Sequence, residues 1–270
     1  LVPANTPAAT VEAQASTQAG LTAYSPYIDV WEQTHQIERF NTDPGWEQIL
    51  PKDPTDGWFE HDPDRDTWVG IVTDNSALNL TWPGWFTRGD FKLEVDARHV
   101  GPLHKSFNGL GLVFNLEIDK ENPRDHHFYA LMIAMGAAQN FWSLVRFDDT
   151  RATYETNDGY RGGPNFMNDW DKWNHLEVRV IDGYISVYCN DKPLPGRTLP
   201  VEGKFLADGR LVGLVATSYE FDNAVVEYDN FKLTPLYPGD PEYDEAIQMR
   251  EAQVALNEVQ FDTPPLDLHK

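Results

Sequence analysis

The feature that most constrains the fold is a strict two-residue alternation of apolar and polar side chains late in the chain. Over residues 174–181 an apolar side chain occupies every second position from Leu176 onward, with charged side chains between. This period is typical of a β-strand with one buried and one solvated face. Asp182 and Gly183 follow, a pair suited to the positive φ angles of a tight turn. Alternation then resumes, so the sequence predicts a β-hairpin over residues 174–190.

The last predicted strand changes phase part-way along. Val226 and Tyr228 share one phase, whereas Phe231 and Leu233 share the other. One extra residue inserted into a strand produces this change, so we predict a β-bulge at residues 229–230.

Comparable strand patterns recur over most of the chain. They cover residues 37–40, 67–73, 77–82, 91–99, 108–118, 128–135, 140–148, 209–217 and 224–234. Turn residues separate these strands and no strand–helix alternation appears, which predicts an all-β fold: an antiparallel two-sheet β-sandwich. Proline and glycine interrupt residues 47–67, which we predict to be loop, and residues 149–172 form a long polar and aromatic loop.

The two ends of the chain differ from this middle part. Residues 1–27 are predicted to be a linker or extended arm, residues 28–235 the sandwich, and residues 236–270 a tail. The tail contains one predicted helix over residues 241–259, with Asp240 as N-cap and Pro241 at the first helical position. The first residue is Leu1, and the first twenty residues are rich in Ala, Thr, Pro and Gln. We therefore expect an exported, extracellular protein, secreted or surface-attached after removal of a signal.

Charge and cysteine content restrict the partners. The net charge is −22 and the isoelectric point is near 4.5. Nucleic acids and anionic membrane surfaces would be repelled, so we expect neither as a partner. No apolar run approaches the roughly 18 residues of a membrane span. The one cysteine, Cys189, excludes an intrachain disulfide, and its place in an alternating strand predicts a buried apolar role.

Four groups of residues follow one another along the chain in a recognisable order. They are ERFN at residues 38–41 with GW at 45–46, GLGLVF at 109–114 with FYALM at 128–132, WN at 173–174 with LEVRV at 176–180, and YDNF at 228–231. Over about residues 28–235 this order resembles the concanavalin A-like lectin and glucanase superfamily, in particular bacterial laminin-G-like and 3-keto-disaccharide-hydrolase-like domains. The resemblance implies a jelly-roll sandwich. It implies no single activity, because such domains include lectins, adhesion modules, glycosidases and accessory domains.

One acidic segment is a candidate for catalysis. Glu117, Asp119 and Glu121 have the Glu-x-Asp-x-Glu spacing of laminarinase-type glycosidases. On a strand, this spacing places a nucleophile and an acid roughly 5 Å apart for retaining hydrolysis. Here the segment runs directly into a turn-rich stretch, residues 122–127, which favours a solvated hairpin connection instead.

A second group of carboxylates is a candidate for a structural Ca²⁺ ion, the one cofactor that the sequence suggests. Asp62, Asp64 and Asp66 stand at alternate positions, as in calcium-binding loops, although the rest of the EF-hand pattern is absent. Asp229 is a further candidate ligand, by the resemblance to sandwiches that hold calcium near their joined termini. Solvated surface carboxylates remain the alternative for all four.

Aromatic side chains in irregular segments are the better candidates for ligand binding. Because sugar rings stack on aromatic faces while polar groups bind their hydroxyls, we predict a ligand site among them. The alternative is that these rings cap the core. The candidates are Trp58, Trp85, Tyr154, Tyr160, Arg161 and Trp170.

Taken together, the sequence favours a non-catalytic module that binds glycans or assembles with other surface proteins. A glycoside-acting hydrolase is the first alternative and requires two carboxylates that converge on the concave face. The second alternative is a structural subunit that forms a homo-oligomer through its terminal arms, and termini packed on their own domain would count against it.

Overall fold

A computed structural model describes the greater part of the sandwich and the tail helix. The described residues are 36–49, 56–73, 78–87, 89–100, 108–118, 126–135, 140–148, 151–154, 161–162, 169, 171–194, 199–200, 209–218 and 224–261. The predicted arm over residues 1–27 lies outside them.

Eighteen strands and one helix are found in these segments. The strands are β1 (Gln36–Glu38), β2 (Glu47–Ile49), β3 (Gly57–Asp62), β4 (Thr67–Val72), β5 (Leu78–Trp82), β6 (Phe86–Thr87), β7 (Phe91–Val100), β8 (Asn108–Ile118), β9 (His126–Met135), β10 (Asn140–Asp148), β11 (Arg151–Tyr154), β12 (Arg161–Gly162), β13 (Asn174–Ile181), β14 (Tyr184–Cys189), β15 (Lys192–Pro193), β16 (Leu199–Pro200), β17 (Arg210–Ser218) and β18 (Ala224–Pro235). The helix is α1 (Pro241–Phe261).

The strands form two antiparallel sheets, which confirms the predicted sandwich. Sheet A has the order β15-β14-β13-β7-β18-β4-β3, with β1 paired to β18 and β16 paired to β14. Sheet B has the order β11-β10-β9-β8-β17-β5-β2, with β12 paired to β10 and β6 paired to β17. Strand β3 therefore lies at one edge of sheet A, and β2 at one edge of sheet B.

Both local features predicted near the end of the chain are present. Strands β13 and β14 pair with Val178 opposite Val187. Asp182 and Gly183 join them with φ angles of 49° and 73°. The pairing of β18 with β7 shifts between Asp229 and Lys232, which is the predicted bulge. The short polar turn and the change of phase were sufficient to locate these features because each has a local backbone cause.

Sheet B is apolar on both of its faces. Its inner face contributes to the main core, for example Leu110, Leu112 and Leu131. The alternate positions form a second buried cluster: Leu80, Trp82, Val113, Leu116, Phe128, Ala130, Met132, Val145 and Val215. Among the described residues, this outer face therefore does not provide the converging carboxylate pair that a glycosidase needs.

The outer face of sheet A is charged, and α1 packs on part of it. Ala246 of α1 packs with Ile181 and Leu236 in a small apolar cluster. Around this cluster, Glu245 binds Arg179 at 2.6 Å and Arg250 binds Asp182 at 2.6 Å. The tail thus packs on its own domain as far as its side chains are described, which counts against its use as an arm reaching a neighbour.

The start of α1 agrees with the sequence, with one difference at the cap. Pro241 is the first helical residue, and the Asp244 N–H donates to the Asp240 carbonyl oxygen at 3.0 Å. The Asp240 carboxylate accepts a bond from the Tyr237 N–H at 2.8 Å, so it stabilises the turn before the helix. Within the segments that the structure describes, no helix is long and apolar enough to cross a membrane.

One prediction about secondary structure was wrong. Residues 47–67 were expected to be loop, but they contain β2 and β3. The prolines that suggested a loop, Pro51, Pro54 and Pro63, all lie outside the strands, and the alternating stretch between them is only six residues long. The missed strands border the candidate site.

Candidate functional site

A cleft opens at the edge of the sandwich, where β2 of sheet B and β3 of sheet A come together. Its volume is about 450 Å³, within the roughly 300–1,000 Å³ typical of small-molecule sites. Its lining combines aromatic, acidic and amide side chains. The lining residues are Asp43, Gly45, Trp46, Gln48, Phe59, Glu60, His61, Pro63 and Trp68.

Gln48 joins the two sheets beneath the cleft. Its side-chain oxygen accepts a hydrogen bond from the Phe59 N–H at 2.9 Å, and its Nε2 donates to the Phe59 carbonyl oxygen at 3.4 Å. The amide thereby satisfies a backbone donor and acceptor on edge strand β3 that would otherwise be open to another strand. The same two bonds fix the distance between the edge strands and so the width of the cleft.

The segment between β1 and β2 forms one wall, and two polar side chains hold it. His61 Nε2 donates to the Phe40 carbonyl oxygen at 2.7 Å, at a residue whose φ is 51°. The Asp43 carboxylate accepts a bond from the Gly45 N–H at 2.9 Å. Gly45 has φ of 61°, a left-handed conformation that glycine adopts without steric cost. The wall is therefore ordered by bonds local to the cleft.

The aromatic side chains of the cleft are packed as a group. Trp68 lies between Phe40 and Phe59, with centroid distances of 6.1 and 6.4 Å and interplanar angles of 12° and 11°. Because both faces of the indole are covered, Trp68 presents its edge to the cleft. Its Nε1 donor is buried and has no hydrogen-bond partner within the described part of the chain. A buried donor without an acceptor costs free energy, so this indole N–H is a candidate contact for a ligand oxygen.

Two carboxylates complete the lining. Glu60 accepts a hydrogen bond from Trp58 Nε1 at 2.9 Å through one oxygen, and Asp43 uses one oxygen for the Gly45 N–H. Each therefore has a fixed orientation and a second oxygen that can accept a hydrogen bond from a ligand. Aromatic walls with a few oriented polar groups can bind a polar organic molecule such as a sugar.

The structure separates the predicted ligand-binding residues. Trp58 lies on β3 and contacts the cleft residue Glu60, so it is next to the site. Trp85 instead stacks on Phe231 at 5.4 Å and packs against Trp46 at 6.2 Å. Its ring is committed to the core, which is the alternative that the sequence had left open, and the ligand role predicted for Trp85 is corrected accordingly.

The remaining aromatic candidates give no information about a site. Tyr154 ends β11 and Arg161 begins β12, but their side chains lie outside what the structure describes. Tyr160 and Trp170 fall outside the described residues altogether. Their ligand roles stay predictions.

Of the three catalytic candidates, only Glu117 is described. It lies near the end of β8, with its side chain 48% exposed, and forms an ion pair with Arg210. Asp119 and Glu121 lie outside the described residues. An exposed carboxylate paired with arginine has the properties of a solvated hairpin side chain, as the sequence had favoured.

The calcium candidates lie in two separate places. Asp62, Asp64 and Asp66 belong to the turn of the β3–β4 hairpin, where the Asp62 carboxylate accepts the Asp64 N–H at 2.9 Å and lies 3.8 Å from Arg65. Asp229 lies in the β18 bulge and accepts the Asn230 N–H at 2.7 Å. Within the described segments, these carboxylates do not form a group that could hold one ion. Their calcium role stays a prediction without geometric support.

A different cluster, which sequence reasoning missed, brings potential metal ligands together on the outer face of sheet A. Atoms of Glu94, His175 and Glu177 lie within 4.8 Å of one another. However, Lys92 and Lys232 each approach Glu94 at 3.3 Å, and Glu177 binds Arg179 at 2.5 Å. Burial raises the pKa of Glu94, but the bond to His175 and the two lysines outweigh it and lower the pKa to about 2. The cluster is therefore a balanced network of ion pairs rather than a site in need of a cation.

Comparison with known proteins gives a result for the fold alone. No family model and no curated protein matches the chain. A β-glucanase of Bacillus licheniformis is structurally similar, with a TM-score of 0.51 and 8% sequence identity, over 75% of this chain and 98% of that chain. The fold is concanavalin A-like. The resemblance seen in the sequence is thereby confirmed at the level of the superfamily, and the choice of a laminin-G-like or hydrolase-like domain stays a prediction.

Two further solved structures are similar at lower scores. The carbohydrate recognition domain of Emp47p has a TM-score of 0.47 and 13% identity, over 71% of this chain and 89% of that chain. The carbohydrate-binding module CBM66 of Bacillus subtilis has a TM-score of 0.40 and 14% identity, over 72% of this chain and 94% of that chain.

Proposed function

We propose that this chain is an exported, non-catalytic module that binds carbohydrate in the cleft between β2 and β3. The observation that carries the proposal is the cleft lining, in which Trp46, Phe59 and Trp68 are combined with Asp43 and Glu60 around about 450 Å³. Sugars have apolar C–H surfaces that suit aromatic walls, and hydroxyl groups that donate to carboxylates. The similarity in fold to a protein named β-glucanase is compatible with a ligand of this class.

The two faces of the sandwich are poorer candidates for the site. The outer face of sheet B carries the buried apolar cluster around Phe128 and Met132. The outer face of sheet A is occupied by ion pairs and, over β13, by α1. A ligand would have to break these contacts at either face, whereas the edge cleft is already open.

The hydrolase alternative has less support. Its best described candidate, Glu117, is exposed and paired with Arg210. Retaining hydrolysis needs a second carboxylate roughly 5 Å from the first, on a surface that a glycan can reach. The test of binding should therefore include an assay for released reducing ends, in which we expect no product.

A cleft-filling variant tests the proposal. Gly45 lines the cleft with φ of +61°, and a Cβ placed there meets nothing within 4 Å. Asparagine tolerates this backbone conformation, so Gly45→Asn should fold and place its side chain at the cleft. Gly209→Asn is the matched control, because Gly209 has φ of +79°, equally open surroundings, and no part in the cleft lining.

The experiment is a glycan array followed by calorimetric titration of each oligosaccharide that binds. We expect the wild-type protein and Gly209→Asn to bind the same saccharides with equal affinity, and Gly45→Asn to lose at least about ten-fold, a change of roughly 1.4 kcal/mol. Absence of any saccharide binding by the wild-type protein would refute the proposal. Equal binding by Gly45→Asn would refute the assignment of the site to this cleft.

A further inference from the structure

The charge of the cleft is one-sided. Among the described residues that line it, the ionisable side chains are Asp43, Glu60 and His61, and no lysine or arginine is present. The whole chain adds to this field with a net charge of −22. A cleft walled by low-dielectric aromatic groups concentrates such a potential, so it repels anions and attracts cations.

The two carboxylates of the cleft also differ from the buried carboxylates elsewhere in the chain. Glu94, Glu177 and Glu227 each form ion pairs with a lysine or arginine. In the described part of the chain, neither Asp43 nor Glu60 has a cationic partner; each accepts one neutral N–H bond, at 2.9 Å in both cases. Two oriented carboxylates without a counter-charge, at an open cleft, are suited to a ligand that brings its own positive charge.

The aromatic part of the cleft restricts the class further. The buried Trp68 Nε1 has no acceptor among the described residues. A simple alkylammonium ion offers no acceptor for this donor, whereas a saccharide has hydroxyl and ring oxygens. A saccharide with a protonated amino group combines both properties: an ammonium group for the carboxylates and oxygens for the indole N–H.

We propose that the cleft selects amino sugars, that is, saccharides with a free protonated amine, over neutral and acidic saccharides of the same length. This inference rests on the proposed function and adds the chemical class of the ligand. Asp43 and Glu60 accept hydrogen bonds from the ammonium group, and Trp46, Phe59 and Trp68 form the apolar wall against which the ring packs.

Calorimetric titration with three tetrasaccharides of matched length tests the selectivity. They are a glucosamine tetramer, its fully N-acetylated form, and a uronic acid tetramer, each measured at pH 6 in low and in high salt. We expect the glucosamine tetramer to bind at least about ten-fold more tightly than the N-acetylated one, the scale of a hydrogen bond to a charged group. The advantage should shrink in high salt, and the uronic acid tetramer should bind most weakly.

Charge-neutralising variants locate the effect. Asp43→Asn and Glu60→Gln keep the shape of each side chain, and we expect each to lower affinity for the glucosamine tetramer by about ten-fold while changing affinity for the N-acetylated tetramer by less than two-fold. Asp191→Asn is the matched control. It removes one negative charge at an exposed turn residue with φ of 62°, beside β15 at the opposite edge of sheet A.

The outcomes separate the two proposals. If both uncharged and amino tetramers bind equally and the two variants behave like Asp191→Asn, the selectivity inference is overturned while carbohydrate binding stands. If the glucosamine tetramer binds but Gly45→Asn does not weaken it, the cleft is not its site, and the inference is also overturned. If no saccharide of any charge binds, the proposed function itself fails.

Discussion

His175 on β13 and Asp96 on the neighbouring strand β7 form a charged cross-strand pair, with 2.8 Å between Nδ1 and a carboxylate oxygen. The second ring nitrogen lies 3.6 Å from Glu94. Hydrogen bonds to these two carboxylates raise the pKa of His175 to about 10. The imidazole is therefore positively charged at neutral pH and acts as one of the cations that balance the outer face of sheet A.

Two histidines make folding stability depend on pH in opposite directions. The raised pKa of His175 means that its stabilising contribution is complete below about pH 6.5 and is lost as pH rises towards 10. Burial lowers the pKa of His99 to about 4, so unfolded His99 takes up a proton before the folded residue does. Acidification from about pH 6.5 to 4 therefore favours unfolding. We expect maximum stability near pH 6.5.

Urea unfolding between pH 4 and pH 10 checks this expectation. The free energy of unfolding should fall on both sides of about pH 6.5, and His175→Gln should flatten the alkaline side while leaving the acid side in place. His99→Gln should do the reverse. A stability that keeps rising from pH 6.5 to pH 9 in the wild-type protein would contradict the charge state assigned to His175.

The Tyr228 hydroxyl links the two sheets through the core. It donates a hydrogen bond to the Val215 carbonyl oxygen at 2.5 Å and accepts one from the Gly111 N–H at 3.3 Å. Tyr228 lies on sheet A and is fully buried, whereas both partners lie on sheet B. Tyr228→Phe removes the oxygen and leaves a buried donor and acceptor unpaired. We expect a loss of about 1–3 kcal/mol in the free energy of unfolding, measured in urea.

A control for this variant uses a tyrosine without such a role. Tyr237 is 50% exposed, and Tyr237→Phe should change stability by less than about 0.5 kcal/mol. Equal effects of the two substitutions would mean that the Tyr228 hydroxyl does not link the sheets.

The Gln48 amide is expected to couple stability to ligand binding. Gln48→Leu keeps most of the side-chain volume but leaves the N–H and carbonyl oxygen of Phe59 without their partner. We expect a loss of about 1–2 kcal/mol in stability, together with weaker binding of whichever saccharide the cleft takes, because the edge strands are no longer held together. Gln48→Glu, which keeps the acceptor for the Phe59 N–H, should recover part of both losses. An unchanged saccharide affinity in Gln48→Leu would show that the bridge does not set the width of the cleft.

The sequence predicted those parts of the fold that have a local cause. The β13–β14 hairpin and the bulge at Asp229 could be read from alternation and turn residues, because side-chain period and backbone twist act over a few residues. Strand β3 was missed because it is a short edge strand among prolines, where the alternating signal is weak.

The candidate site was harder to predict because it is assembled from distant positions. Gln48 and Phe59 meet only when the edges of two different sheets come together. For the same reason, sequence could not distinguish Trp85, which packs in the core, from Trp58, which lies beside the cleft. A tryptophan in an irregular segment has the same sequence signal in both cases. The pairing of Glu60 with Trp58 at a spacing of two residues is the one local signal that could have pointed to this edge.

Cys189 should be inert in the folded protein. Its side chain is fully buried in the core beside β13, and burial raises the pKa of the thiol to about 12. Because the thiolate is the reactive form, a disulfide reagent at pH 8 should modify Cys189 only when the protein opens, at a rate that increases with urea. A double variant, Cys189→Ser with Ser186→Cys, moves the thiol to a half-buried position on the same strand, where we expect reaction within seconds. Rapid modification of wild-type Cys189 in the absence of urea would contradict its burial between the sheets.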